Sequence, residues 1–124
     1  MNTLGYVLFV MAAATLAPVQ AQSPFRCDLH SLTKEERSHQ AHLTARLVSA
    51  IVEKRELRDG FAFKLDLEKI SLGAVGEWTE LERKCCAFFG YRIDVEAERG
   101  ATWFHLTGRP GVKEFIESEF KLAH

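Results

Sequence analysis

The sequence is short of everything that marks a chain as disordered or as made for a polyanion. It holds 3 prolines and 8 glycines in 124 residues, against a hydrophobic share of 47%, a composition that excludes a disordered chain. Its 16 basic and 17 acidic residues leave a formal charge of -1, so no excess of positive charge calls for nucleic acid or anionic lipid as a partner. It has no Cys-x-x-Cys pair, and its spacing offers neither a Ser-His-Asp set nor paired carboxylates, which leaves an enzyme the least supported class. No repeat and no Pro- or Ser-rich linker divides it. What is present is enough chain for one domain with a modest core, 3 cysteines and one long apolar stretch.

That stretch stands at the start. MNTLGYVLFVMAAATLAPVQAQ carries an uncharged apolar run, Leu4 to Ala17, and then Val19-Gln20-Ala21, a small-x-small pattern that suits signal peptidase. The expectation is a signal peptide over residues 1–21, cut after Ala21, and one α+β domain over residues 22–124. No Lys or Arg precedes the run, but Pro18 breaks it and it is shorter than the ~20 residues of a spanning helix. No other stretch is apolar enough to cross a bilayer, so no membrane contact is expected once the signal is gone. SPFRC, ahead of Cys27, lacks the Leu-x-x-Cys of a lipid-attachment site. A periplasmic or secreted location follows, and with it a compartment in which disulfides persist.

Beyond the signal, Thr33 and Glu36 in LTKEER have the capping-box spacing that opens a helix. Leu43, Leu47, Val48, Ile51 and Val52 form an apolar stripe that predicts this helix as far as Leu57, where Asp59-Gly60 breaks it. Phe61, Phe63 and Leu65 alternate as a half-buried strand. A second helix is predicted from about Lys69 to Phe88, with Ala74, Trp78, Leu81, Cys85 and Phe88 inward. Tyr91, Ile93 and Val95, then Phe104 and Leu106, alternate about a turn at Arg99-Gly100 and read as a β-hairpin. Pro110 opens a last helix that buries Val112, Phe115, Ile116 and Phe120. The expected fold is a two-layer α+β domain in the order helix, strand, helix, hairpin, helix, its three-stranded sheet covered by helices on one face.

ELRDGFAFKL, EWTELERKCCAFFGYRIDVE and WFHLTGRPGVKEFI resemble a family of small bacterial proteins with no assigned biochemical function. Its members share an ER-x-CC-x-F core, a hydrophobic hairpin and a TG-x-x-GVKEF ending. The resemblance spans Cys27 to Phe120 and departs at Ala87, where the family pattern has CC-P-F, so the turn after the thiols is less rigidly set here. Many relatives lack an export signal. The resemblance implies one domain, directs attention to Cys27, Glu82, Cys85 and Cys86, and supplies no activity.

Three uses of the cysteines compete. One is a structural disulfide from Cys27 to Cys85 or Cys86, tying the start of the mature chain to the end of the second helix. A bond between Cys85 and Cys86 themselves is disfavoured, because adjacent residues close a strained ring. The second is a soft-metal site. Three thiolates suit Zn(II), Cu(I) or another thiophilic ion, with His39, on the inward side of the first helix by its spacing to Leu43 and Leu47, as a fourth ligand. Glu82 would then accept a hydrogen bond or act as an alternative oxygen ligand. The third is a thiol redox sensor, opposed by the negative end of the helix macrodipole, which suppresses thiolate in a last turn.

If helix two ran on through both cysteines, Cys85 and Cys86 would point ~100° apart. Trp103 and His105 share the hairpin's other face, and uncovered they would offer an aromatic patch to a partner protein. The remaining aromatics read as packing, and the charge mixtures of Lys34–Arg37 and Glu53–Arg58 as solvated helix faces. The favoured reading is a metal site built from Cys27, Cys85, Cys86, His39 and Glu82. The alternative is a disulfide-stapled binding module that docks through Trp103 and His105.

Overall fold

The computed structural model describes residues 11–17 and 24–120. The expected cleavage point at Ala21 lies outside them, and residues 11–17 are exposed and irregular. A short 3-10 turn, Leu29–Ser31, leads into helix α1, Lys34–Ser49. Thr33 starts α1 as expected: its hydroxyl accepts from the Glu36 amide at 3.1 Å, and the Glu36 carboxylate accepts from the Thr33 amide at 2.9 Å.

The first helix does not reach Leu57. It ends at Ser49, and Ile51–Leu57 is an edge strand, β1, joined by a two-residue turn at Arg58-Asp59 to β2, Gly60–Leu65. The expected three-stranded sheet is therefore four-stranded and antiparallel, in the order β1-β2-β4-β3. Helix α2 spans Leu72–Cys85, strands β3 and β4 span Gly90–Val95 and Thr102–Thr107, and α3 spans Val112–Phe120. The α+β class holds, with one more strand than the sequence announced. Among the described residues no helix is long and apolar enough to cross a membrane.

Alternation in β2 and β4 sorts the two faces of the sheet. Phe61, Phe63 and Leu65 face inward beside Phe104 and Leu106, all buried. All three helices reach this face: Leu47 and Val48 of α1, Trp78 of α2 and Phe120 of α3 meet Phe63, Phe104 and Leu106 around one small void. The register places Glu53, Arg55, Lys64, Arg92 and Asp94 on the other face with Trp103 and His105. Trp103 is nevertheless only 8% exposed, because the Arg55 guanidinium lies 4.0 Å from its ring centroid. The exposed aromatic patch anticipated there is corrected to a charged surface with a covered ring.

Gly60 is needed where it stands. A Cβ at that position would run into the Leu106 carbonyl of the neighbouring strand, so the β1–β2 turn can lie against β4 only without a side chain. The β3–β4 connection is tight as well. The Gly100 amide bonds the Ala97 carbonyl at 3.0 Å, and the two central residues, Glu98 and Arg99, both hold φ of 57°.

A candidate thiol and carboxylate site at the end of helix α2

The site is assembled by the way α2 stops. The last carbonyls of a helix lack intrahelical partners, and here the segment before α1 supplies donors. The Asp28 amide bonds the Cys85 carbonyl at 2.7 Å, and the Ser31 hydroxyl bonds the Lys84 carbonyl at 2.8 Å. Lys84 also reaches Glu36 at 2.7 Å, linking α2 to the first turn of α1. Phe25 anchors the front of the arm, its ring 5.2 Å from Phe88 and 6.4 Å from Phe115. It lies against Gly111, whose φ of 103° and lack of a side chain leave room for the ring.

Cys86 falls just past the helix, with φ -119° and ψ 73°. That departure from helical geometry cancels the expected divergence of the neighbouring thiols. Cys85 is 3% exposed and Cys86 fully buried, and their sulfurs stand 3.7 Å apart. Cys27 comes in on the arm and forms a disulfide with Cys86 across 59 residues of sequence, which leaves Cys85 as the free, buried thiol. The two pairings open to Cys27 thus resolve to Cys86.

Glu82, one turn before Cys86, is 5% exposed. Ligand atoms of Cys27, Glu82, Cys85 and Cys86 all lie within 4.8 Å of one another. Thiolates with one carboxylate oxygen form a donor set suited to a thiophilic or borderline ion such as zinc. In the oxidised state two of the sulfurs are committed to each other.

Gln40 holds the free pair. Its side-chain amide donates to Glu82 Oε2 at 2.6 Å and to Cys85 Sγ at 3.1 Å, and each N–H can serve one acceptor. A relay fixes the helix behind it: the Trp78 indole donates to Thr44 Oγ1 at 2.9 Å, and Thr44 donates to the Gln40 carbonyl at 2.8 Å.

Burial drives the electrostatics. Desolvation pushes the Glu82 carboxyl up to about 7, partly opposed by the Gln40 bond and reinforced by the charge of Glu119. Desolvation, followed by the Glu82 charge, also raises Cys85 above the ordinary thiol range. Tyr91 is raised too, first by burial and then by Glu82 and Cys85. Its hydroxyl is buried without a hydrogen-bond partner.

His39 does not join the cluster. It is half exposed on the surface of α1, with Nε2 2.8 Å from Glu77 Oε2. The sequence spacing to Leu43 and Leu47 suited His39, but the residue turned inward is the next one, Gln40. Gln40 precedes Leu43 by three positions and Leu47 by seven, the same helical face. That spacing was visible in the sequence, but glutamine is a poor metal ligand and so does not signal a metal site. The arm does meet the end of α2, which brings Cys27 to the adjacent cysteines.

Comparison with known proteins returns no match: no family model, no curated protein and no solved structure is similar to the chain. The bacterial-family resemblance accordingly rests on the motifs that suggested it.

Proposed function

We propose that this is a small exported protein that binds a soft or transition metal, Zn(II) or Cu(I), through Cys27, Cys85 and Cys86 in their reduced state, with Glu82 as the oxygen donor. The observation that carries this reading is the convergence of the four ligand atoms within 4.8 Å of one another. Such a set matches the coordination of zinc by sulfur with one further ligand, or of Cu(I) by thiolates alone. Gln40 supports the same use, because it orients the Glu82 oxygen and the Cys85 sulfur together.

The test is zinc titration of the reduced full chain against a chromophoric chelator. About one equivalent per chain is expected for a single site. Cys85→Ser and Cys27→Ser should each weaken uptake at least tenfold, and His39→Ala should leave it unchanged. Uptake that survives Cys27→Ser at full strength would rule out the three-sulfur site.

The Cys27–Cys86 disulfide itself favours a second reading, a stapled module that contacts another protein. That module is metal-indifferent and keeps one protected disulfide and one buried thiol in the presence of zinc. Its docking face around Trp103 and His105 would select a charged partner surface, since Arg55 covers the indole and Asp94 lies 3.1 Å from His105. A redox sensor built on Cys85 is the weakest of the three, because burial suppresses the thiolate it would need.

A further inference from the structure

We infer that the Cys27–Cys86 disulfide is a redox gate on the metal site, and that an external dithiol opens it by attacking the sulfur of Cys27. The gate is a regulation of the metal-binding reading and rests on it. Its first support is access. Cys86 is fully buried and Cys85 nearly so, whereas Cys27 is half-buried. Cys27 lines two clefts, of about 400 and 760 Å³, one reaching Glu82 and Gln40 and the other Cys85 and Lys84. Cys86 lines neither cleft. Thiol–disulfide exchange requires a thiolate to reach one sulfur and displace the other, and of the bonded pair only Cys27 presents itself to solvent.

The chemistry then has a direction. An incoming thiolate bonds to Cys27 Sγ while the Cys27–Cys86 bond breaks, and Cys86 leaves with the electron pair and takes up a proton beside Cys85. The second thiol of the reductant attacks its own sulfur in the mixed disulfide and releases Cys27, which is protonated in turn. The protein gains two electrons and two protons, and the dithiol becomes a disulfide. Before the exchange, Cys85 and Glu82 alone have uncommitted ligand atoms. Afterwards all four do.

The second support is that the arm is held by contacts other than its covalent tie. Phe25 packs on Phe88 and Phe115, and the Arg109 guanidinium lies 4.1 Å from its centroid. Asp28 and Ser31 bond the last carbonyls of α2. Reduction therefore frees the Cys27 sulfur without carrying it away from the site.

Glutathione, a monothiol with no second thiol of its own to resolve the mixed disulfide, tests the direction of attack. The oxidised full chain is incubated with it, quenched with an alkylating agent and mapped by mass spectrometry. Glutathione on Cys27 with an alkyl group on Cys86 is the expected pattern; an adduct on Cys86, or an inert disulfide, overturns the gate. Zinc titration of the oxidised and reduced protein completes the test, with uptake expected to fall at least tenfold on oxidation. Equal uptake in the two states overturns the gate and the three-sulfur site together, because Cys27 and Cys86 are bonded to each other in the oxidised chain. An inert disulfide with uptake confined to the reduced protein overturns the gate alone. No uptake by the reduced protein overturns the metal reading itself, whichever cysteine carries glutathione.

Discussion

At the scale of single residues, one carboxyl sets how stability responds to pH. Glu82 is nearly as buried as the core around it, and its proton affinity is raised to about 7 from an ordinary 4.5. The folded chain thus binds this proton more tightly than the unfolded chain does, so the contribution of Glu82 to stability is fullest below about 4.5 and is lost as pH rises through about 7. The decline amounts to about 3 kcal/mol. Urea unfolding of the oxidised, metal-free protein between pH 4.5 and 7.5 should show it, and Glu82→Gln should flatten it; a wild-type profile already flat would mean that Glu82 ionises freely. Gln40→Ala should destabilise by about 1–3 kcal/mol at neutral pH, because it strips the buried carboxylate of its donor. Helical phase at this scale was only partly legible. The adjacent cysteines and Glu82 could be picked from the motif, but one step of ~100° separates His39, which meets solvent and Glu77, from Gln40, which meets the site.

Among the elements, the clearest signals were the capping box, the alternation of β2 and β4 and the apolar spacing of α2 and α3. Strand β1 was hidden. Past its bulge at Ile51/Glu53, its inward positions are Lys54 and Glu56, so no apolar alternation marks it, and Glu, Lys, Arg and Leu favour a helix. Those charges still find strand-specific work: Lys54 lies over the Phe61 ring at 5.0 Å, and Glu56 pairs with Lys113 of α3 at 3.0 Å. The pairing with β2 decides the outcome, and an edge strand rich in charge also discourages association with further strands. The β3–β4 turn carries its own prediction. Glu98 and Arg99 occupy left-handed backbone that asparagine and glycine tolerate better. Replacing the pair by Asn-Gly should stabilise the protein by about 1 kcal/mol, read as a higher urea midpoint at constant slope. Gly60→Ala should act in the opposite direction, since the Leu106 backbone cannot retreat from a side chain there without disturbing the centre of the sheet.

Across the whole molecule, the arm ties the beginning of the domain to the middle of the chain. Closing a loop of 59 residues stabilises the fold by about 4 kcal/mol in the chain-entropy account, and reduction should lower the urea midpoint accordingly. Phe25 bears on the same property from outside the bond. Phe25→Ala should slow re-formation of the disulfide in the reduced protein several-fold, followed by thiol titration during air oxidation; an unchanged rate would show that the ring does not hold the arm. Neither the ring's seat on Gly111 nor the donors from Asp28 and Ser31 could be read from the sequence, since they join segments with no local pattern in common. The convergence of the three cysteines was legible only as a requirement of the hypothesis, and it was met because the end of α2 needed hydrogen-bond donors that the arm could bring.

The two indoles sit on opposite sides of the sheet, Trp78 beneath the helices with its N–H on Thr44 and Trp103 under the Arg55 guanidinium. They therefore form a pair of optical reporters already built into the chain. Detachment of the helical layer would shift the emission of Trp78 alone, while fraying of β1 would uncover Trp103 to a soluble quencher. With Trp103→Phe and Trp78→Phe variants to separate the signals, the order in which the two layers come apart becomes a fluorescence measurement that needs no added label.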